Sequence, residues 1–532
     1  MIQIGIVERL KRNMRKFCIL AAGCGTRNTS ISGLHKALLP LENKPVLSHI
    51  IEKLDTNVDI VIAVGYKSDQ IKSYITTVHP DRNIQFVDVD NYDGIGSGPG
   101  YSLLCCREYL QEPFIFTSAD TLIGGKLPIM EITEDWLGCS VVDENDSINY
   151  CLVNGSKYLD ELYYGTGTKA YIGIAGVYNY KSFWNALEEH KILKDEYQVI
   201  HGFDGIDKIK LINFVWNDTG NNKSYNEARK YFDNEIVANK DDEAIFIVNN
   251  TVVKYFSDEE KVRLRVERAK YLNGTVPKIN HIHENMYSYD YVPGELLSNI
   301  AEEDVLLDFL NYCQSNLWNN VYDKNVIIDN ACREMYQEKT KERVLYFSES
   351  SFDKIEYING VRVAPIYSML DKIEWHRFYD RAIPSRFHGD LQPENVLYDS
   401  SNNDFVLLDW RQSFGSSLGV GDVYYDLGKL YHALLINGTC MLNDMFEYKV
   451  CENRAVVQFY IKSNLMYFMD VLEKFCSDNT YLWSNVELIG ILQYFNICSL
   501  YGDFKDGKYG EFLFLYGKYL LAKFLNREIC YE

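Results

Sequence analysis

The stretch Arg386-Phe387-His388-Gly389-Asp390-Leu391-Gln392-Pro393-Glu394-Asn395-Val396-Leu397, followed by Phe405-Val406-Leu407-Leu408-Asp409, holds the densest set of residues suited to chemistry. It sets an aspartate, an asparagine five residues later, and a second aspartate after a short apolar strand. Moving a phosphoryl group calls for a carboxylate that orients the attacking hydroxyl and takes its proton. It also calls for oxygen ligands to Mg²⁺, which neutralises charge on the phosphate oxygens. Asp390 suits the first task, and Asn395 and Asp409 suit the second. A further candidate lies near the N-terminus. Phe17-Cys18-Ile19-Leu20-Ala21-Ala22 is an apolar run of strand character that empties into Gly23-Cys24-Gly25-Thr26-Arg27. A buried strand leading into a glycine loop brings backbone N–H groups close to phosphates. Arg27 adds a fixed cation there, and Lys36, in His35-Lys36-Ala37-Leu38-Leu39-Pro40, a mobile one.

These residues need elements to position them. Ile60-Val61-Ile62-Ala63-Val64 is a continuous β-branched run of the kind buried on both faces of a parallel sheet, and helical patterns near 46–54 and 68–75 flank it. Gly94-Ile95-Gly96-Ser97-Gly98-Pro99-Gly100 is a second glycine-rich loop ahead of a helix over 101–110. Phe114-Ile115-Phe116-Thr117-Ser118-Ala119-Asp120 is another strand, ending in an aspartate at the carboxyl edge where open α/β sheets bind ligands. Residues 233–243 are polar and acidic and read as a linker. Beyond them Ala244–Val248, a turn at Asn249-Asn250 and Thr251–Phe256 read as a hairpin. Leu306–Trp318 and the region 452–527 carry apolar and aromatic residues at helical spacing.

Together, the motif Leu20-Ala21-Ala22-Gly23-Cys24-Gly25-Thr26-Arg27, then Lys36-Ala37-Leu38-Leu39-Pro40 and Lys44-Pro45, resembles the nucleotidyltransferases. Those enzymes join an NTP to a phosphorylated sugar or small alcohol. The resemblance spans roughly residues 16–232 and implies a Rossmann-like α/β sheet. It also implies in-line attack of a substrate phosphate on the α-phosphorus, and nucleotide binding by Ala22, Gly23, Gly25 and Thr26, with Lys36 and Arg27 catalytic. Gly98 would lie in the loop that approaches base and ribose. Asp120 matches the family's first metal carboxylate, and Asp218, in Trp216-Asn217-Asp218-Thr219-Gly220, the second. The stretch around Lys169 and Tyr171 looks like the acceptor-side wall.

The second half resembles the aminoglycoside phosphotransferase and choline kinase superfamily, relatives of protein kinases, over roughly residues 244–532. The metal aspartate reads Asp409-Trp410-Arg411 here. This implies an α+β kinase-like domain that uses ATP and Mg²⁺ on a small hydroxyl acceptor. Lys254 on the hairpin would hold the α- and β-phosphates, with Glu267 on the following helix as its ion-pair partner. Tyr289 and Tyr291, before Val292-Pro293-Gly294, resemble the hinge that contacts adenine. Asp422 and Asp426 read as structural, tying the metal loop to the lobe. Trp375, Tyr379 and Trp410 are candidates for an aromatic box around a quaternary ammonium.

The 532-residue chain exceeds a single core, so two or more domains are expected, divided at 16–232, 233–243 and 244–532. A net charge of −21 argues against a nucleic-acid partner, despite a short basic run over Arg9–Lys16. No apolar run approaches the roughly 20 residues of a membrane span. The opening residues show no secretion signal, Met14 is an alternative start, and the thirteen scattered cysteines read as reduced core thiols. A cytoplasmic location is expected, with small molecules as partners and the oligomeric state open. The favoured reading is a bifunctional enzyme. One half phosphorylates a small hydroxyl compound with ATP, and the other couples that phosphate to a nucleotide from CTP or another NTP. The product would serve surface polysaccharide or lipid decoration. A sugar in place of a choline-type acceptor is the alternative, and a half that only senses nucleotide or scaffolds is a third reading.

Overall fold

The computed structural model describes residues 16–125, 132–189, 196–232, 241–272, 274–300, 302–318, 327–436, 438–502 and 506–531. The basic run up to Arg15, the alternative start Met14 and most of the 233–243 linker lie outside them. The chain forms two compact units. One comprises the residues up to Asp258 with His281–Ser288, and the other Glu259–Asn280 with Tyr289 onward.

In the first unit, strands β1 (Lys16–Ala21), β2 (Asp59–Val64), β3 (Ile84–Asp88) and β4 (Phe114–Ser118) lie side by side in the order β4-β1-β2-β3. All of these neighbours pair parallel, with Cys18 opposite Val61 on one side and Phe116 on the other. Alternate residues of β1 enter different cores. Phe17, Ile19 and Ala21 join one apolar cluster, and Cys18, Leu20 and Ala22 the other. That two-sided burial is why the strand reads as an unbroken apolar run. Strand β5 (Thr121–Ile123) follows β4 after a tight turn. The sheet continues through β6 (Trp136–Val141), β7 (Leu152–Asn154), β8 (Glu161–Tyr163), β9 (Lys169–Val177), which runs antiparallel to β4, and β10 (Lys210–Asn213). Strand β11 (Trp216–Asp218) pairs antiparallel with β5. The chain leaves β1 toward β2 on one side, while β4 flanks it on the other. The carboxyl ends of β1 and β4 therefore border a topological switch point, the usual ligand crevice of such sheets.

The hairpin β12 (Glu243–Val248) and β13 (Thr251–Phe256) belongs to a four-stranded sheet with β14 (Ile279–His283) and β15 (Met286–Asp290). The hairpin is part of the first unit's core. Phe246, Val248, Val253 and Tyr255 pack in one cluster with Tyr74, Ile75 and Val78 of the helix Ser68–Val78. Full burial of Phe246 and Tyr255 stabilises this packing by about 2 kcal/mol each.

The second unit is built on helix α1 (Glu259–Tyr271), the ladder of β16 (Val396–Asp399) with β17 (Asp404–Leu407), and helices α2 (Val423–Leu435), α3 (Ser463–Asp478), α4 (Trp483–Cys498) and α5 (Lys508–Tyr531). Helix α4 is buried almost all round. Its Gly490 lies against Gly428 of α2, where a Cβ on Gly428 would come within 3.0 Å of the Gly490 nitrogen, so the two backbones approach closely. Among the described residues, no helix is long and apolar enough to cross a membrane, and the cysteines are free thiols.

Candidate active sites

In the first unit, β1 empties into a loop that turns back on itself. The Tyr66 amide donates to the Ala22 carbonyl at 2.9 Å, and the Asn28 amide to the Gly25 carbonyl at 3.1 Å. Gly25 takes φ +63°, and a Cβ there would lie 2.6 Å from Cδ of Lys36. The glycine is what lets the lysine stem lie against the loop. Lys36 stands on a short 3₁₀ turn whose N-cap, His35, accepts the Ala37 amide on Nδ1 at 3.1 Å. Burial, then the Lys36 charge, lowers the His35 pKa to about 3, so the ring is neutral and can act as that acceptor.

Lys36 Nζ reaches Asp120 Oδ2 at 2.7 Å, with both side chains mostly shielded. Asp120 follows β4 after Ala119, whose amide donates to the Leu20 carbonyl of β1. Burial pushes the Asp120 carboxyl up, but Lys36, helped by Arg27, more than offsets it and holds the group below its ordinary value.

Asp218 sits opposite Thr121 in the β5/β11 ladder, one residue along from Asp120. It accepts the Gly220 amide at 2.9 Å and the Tyr150 hydroxyl at 3.1 Å. A Cβ on Gly220 would lie 3.1 Å from Asp218 Oδ1 and 3.2 Å from Asp120 Oδ2, so both carboxylates converge on this glycine. Burial, and then the Asp120 charge, raises the Asp218 carboxyl. Two shielded carboxylates repelling one another, with an ammonium already drawn to one of them, form a set that a divalent cation would suit. Among the described residues no three or more His, Cys, Asp or Glu gather as a metal cluster. A carboxylate pair completed by substrate phosphates is instead the Mg²⁺ pattern.

The other expected residues of the first unit make contacts of their own. Gly98 serves close packing, since a Cβ would lie 2.8 Å from the Tyr197 carbonyl oxygen. Tyr197 also donates to the Ser97 carbonyl and accepts the Gly100 amide, both at 2.7 Å. Lys169 opens β9 with its ammonium 3.4 Å from the Gly155 carbonyl. Tyr171 is buried in the core, its hydroxyl without a partner among the described residues. Lys254 is buried on β13.

In the second unit, Asp390, Asn395 and Asp409 are brought together. The Asn395 amide donates to the Asp390 carbonyl at 2.9 Å and lies 3.5 Å from its Oδ2, and the Leu408 amide donates to the Asn395 carbonyl at 2.8 Å. Asp409 turns the chain out of β17 with φ +60°, a conformation that aspartate tolerates better than most residues. Burial raises the Asp390 carboxyl, but Lys429, whose Nζ lies 2.8 Å from Oδ1, outweighs it and leaves the group low. Asp426, fully buried on α2, accepts the amides of His388 at 2.8 Å and Gly389 at 2.7 Å and the Trp318 indole N–H at 3.1 Å. It therefore holds the backbone that precedes Asp390. Asp422 caps α2 through the Tyr424 amide and accepts the Ile383 amide and the Tyr336 hydroxyl. Burial lifts its carboxyl to about 6.

Glu267 pairs with Arg263 at 3.2 Å on the exposed face of α1. The cation of that helix which enters the site is Arg265, whose Nη1 donates to Asp409 Oδ1. Sequence reasoning missed it, as it missed Tyr150, Lys429 and Glu394. Arg268, one turn on, donates to the Phe387 and Leu418 carbonyls and stacks on the Phe387 ring at 3.7 Å. The charges repeat all along α1, so the sequence offered no signal that singled out Arg265. Tyr289 is buried and Tyr291 is 44% exposed, and the chain beyond them pairs Glu295 and Leu296 with Tyr398 and Leu397 of β16. Trp410 is fully buried and donates to the Arg265 carbonyl at 2.9 Å, and buried Trp375 donates to the Leu370 carbonyl at 3.2 Å. Tyr379 donates to Gln337 at 3.0 Å. The two tryptophans are core residues and build no aromatic box.

Comparison with known proteins agrees with this division. The family profile described as a MobA-like NTP transferase domain matches residues 17–127, and that described as the phosphotransferase enzyme family matches residues 364–460. The chain is 26% identical over 250 residues to the bifunctional protein GlmU of Methanocaldococcus jannaschii, covering 44% of this chain and 59% of that protein. It is 26% identical over 231 residues to GlmU of Methanococcus vannielii, covering 40% and 54%. It thus spans less than two thirds of the curated relatives it matches. Among solved structures it is similar to the CTP:phosphocholine cytidylyltransferase LicC of Streptococcus pneumoniae, at 18% identity and a TM-score of 0.37, over 41% of this chain and 99% of that one. A likeness at that score adds nothing to the site geometry. The chain joins a Rossmann-like nucleotidyltransferase domain of the MobA-like NTP transferase type to a kinase-like domain of the phosphotransferase enzyme family.

Proposed function

We propose that the chain is a bifunctional enzyme in which the C-terminal domain makes the phosphate that the N-terminal domain consumes. The observation that carries this reading is the pair of carboxylate centres, Asp120 with Asp218 beside Lys36 in one unit, and Asp390 with Asn395 and Asp409 in the other. In the kinase half, Asp390 accepts the proton of an acceptor hydroxyl as its oxygen bonds to the γ-phosphorus of ATP and ADP departs. A carboxylate held low by Lys429 orients that hydroxyl more than it deprotonates it early, as a loose transition state requires. Arg265 keeps Asp409 in place from α1. In the nucleotidyltransferase half, an oxygen of the phosphorylated product bonds to the α-phosphorus of CTP or another NTP, and pyrophosphate leaves. Lys36 and Arg27 offset the charge that develops there.

Asp120 and Asp218, and separately Asn395 and Asp409, would hold Mg²⁺, which when bound supplies charge neutralisation on the phosphate oxygens. Joining the halves raises the local concentration of the shared intermediate. The product, a nucleoside-diphospho compound made in the cytoplasm, would be an activated donor for decorating surface polysaccharide or lipid. A sugar or polyol acceptor is favoured over choline by one observation. Trp375 and Trp410, two of the three aromatic residues considered for a quaternary-ammonium box, are committed to the core. Incubation with ATP, CTP, Mg²⁺ and a panel of alcohols and sugars, followed by mass spectrometry, should yield a nucleoside-diphospho product. No product from any acceptor, with no pyrophosphate release from pre-phosphorylated compounds, would overturn the proposal.

A further inference from the structure

Tyr255 stands on β13, far along the chain from the loop it touches. Its ring is fully buried in the cluster that also holds Ile31 and Leu34, the apolar residues on either side of the exposed pair Ser32 and Gly33. Its hydroxyl leaves that core and donates to the Ser32 carbonyl at 2.9 Å. Gly33 takes φ +72°, and a Cβ there would lie 2.8 Å from the Tyr255 hydroxyl oxygen, so a side chain would crowd the contact. The Ser32 amide is held as well, donating to the Asp241 carbonyl at 2.6 Å just ahead of β12. From the helix Ser68–Val78, Gln70 donates to the Gly33 carbonyl at 3.1 Å and accepts the His35 amide at 3.2 Å, and Lys67 also donates to the Gly33 carbonyl.

The chain runs from these bonds straight into the site. The Leu34 amide turns back onto the Ile31 carbonyl at 3.3 Å, His35 caps the next turn through the Ala37 amide, and Lys36 opens that turn and reaches Asp120. Backbone position at Ser32 thus passes to the lysine through two consecutive tight turns. Ser32 and Gly33 bury no side chain of their own, so backbone hydrogen bonds set where they lie. Of the side chains that make those bonds, Tyr255 comes from a strand beyond the match to the NTP transferase profile, which ends at residue 127. A phenylalanine would fill the same space in the core, so packing alone does not account for the hydroxyl.

We infer that Tyr255 is a positioning residue for nucleotidyl transfer: it holds the turn over residues 31–35 so that the Lys36 ammonium meets the charge developing at the α-phosphorus. This rests on the nucleotidyltransferase reading above and adds to it a residue from beyond the linker. The hairpin whose sequence resembles the start of a kinase lobe therefore has a second task, inside the first unit.

The test measures pyrophosphate release by the full chain, using the NTP and the phosphorylated acceptor that react fastest in a panel of sugar 1-phosphates and phosphorylated alcohols. Four proteins are compared: wild type, Tyr255→Phe, Lys36→Met and the double variant. Tyr255→Phe should lower kcat about tenfold and leave the KM for the NTP within about twofold. In the Lys36→Met background the same change should cost less than about twofold, because the lysine it positions is gone. Lys36→Arg serves as that background if methionine leaves no measurable turnover. An unchanged kcat in Tyr255→Phe would overturn the assignment while leaving the nucleotidyltransferase reading intact. So would a fall by the same factor in both backgrounds, which is what a general loosening of the fold would give. A wild-type chain that releases no pyrophosphate from any pair in the panel would overturn the nucleotidyltransferase reading and this assignment with it.

Discussion

Asp426→Asn is a one-atom test of how the catalytic loop is held. The wild-type carboxylate accepts from Gly389 on Oδ1, and from His388 and the Trp318 indole on Oδ2, in a site with no solvent exposure. An asparagine has one acceptor oxygen. Its best orientation keeps that oxygen on His388 and Trp318 and turns its NH₂ toward the Gly389 amide, donor against donor. One buried N–H then loses its partner, at about 1–3 kcal/mol, and the two remaining bonds lose their charge assistance. Against this, burial already raises the Asp426 pKa, so removing the charge returns part of its desolvation cost. The net expectation is about 2 kcal/mol of lost stability. Because Gly389 precedes Asp390, the kinase rate should also fall about tenfold to a hundredfold, with nucleotidyl transfer unchanged. Urea unfolding and the two half-reactions, assayed on the full chain, measure all three quantities. A variant with wild-type unfolding and kinase activity within about twofold would refute the idea that Asp426 positions the loop.

Other expectations follow from single contacts. Gly25→Ala forces a Cβ into a left-handed conformation at about 1–2 kcal/mol and into the Lys36 stem, so NTP-dependent pyrophosphate release should fall about a hundredfold while kinase activity persists. Lys36→Met removes the charge that holds the Asp120 carboxyl low, so the acid limb of the pH profile for nucleotidyl transfer should move to higher pH. Among the described residues Glu394 has no hydrogen-bond partner for either buried carboxylate oxygen, and burial lifts its pKa from 4.5 to about 7. Below the lower value both folded and unfolded chains are protonated there. As pH rises toward 7 the unfolded chain ionises first and binds fewer protons, so stability should fall, by up to about 3 kcal/mol. Glu394→Gln should abolish that fall, read as a denaturation midpoint that changes less between pH 5 and pH 8 than the wild type's.

Local pattern carried much of the fold into the sequence. The two-faced burial of β1 is visible as an unbroken apolar run, and the spacing of Asp390, Asn395 and Asp409 is close enough in sequence to announce their meeting. What stayed hidden depended on long-range packing. Helix α1 alternates charges with few apolar residues, so nothing in its periodicity distinguishes the outward Arg263–Glu267 pair from the inward Arg265 and Arg268. Tyr150 reaches Asp218 across 68 residues, and Lys429 reaches Asp390 from the middle of a helix whose other residues are mostly buried. In β12 the hairpin was legible, but Ile245, Phe246, Ile247 and Val248 are all apolar, so neither the burial of Phe246 and Val248 alone nor the surface against which they pack could be read.

The claim that one polypeptide carries two separable transfer chemistries is tested most directly by Asp120→Asn and Asp390→Asn, prepared singly in the full chain and assayed for both half-reactions. Asp390→Asn should lose ATP-dependent phosphorylation of the acceptor by about a thousandfold or more and retain pyrophosphate release from a supplied phosphorylated acceptor. Asp120→Asn should do the reverse. Loss of both activities in either variant, or of neither in both, would contradict the account.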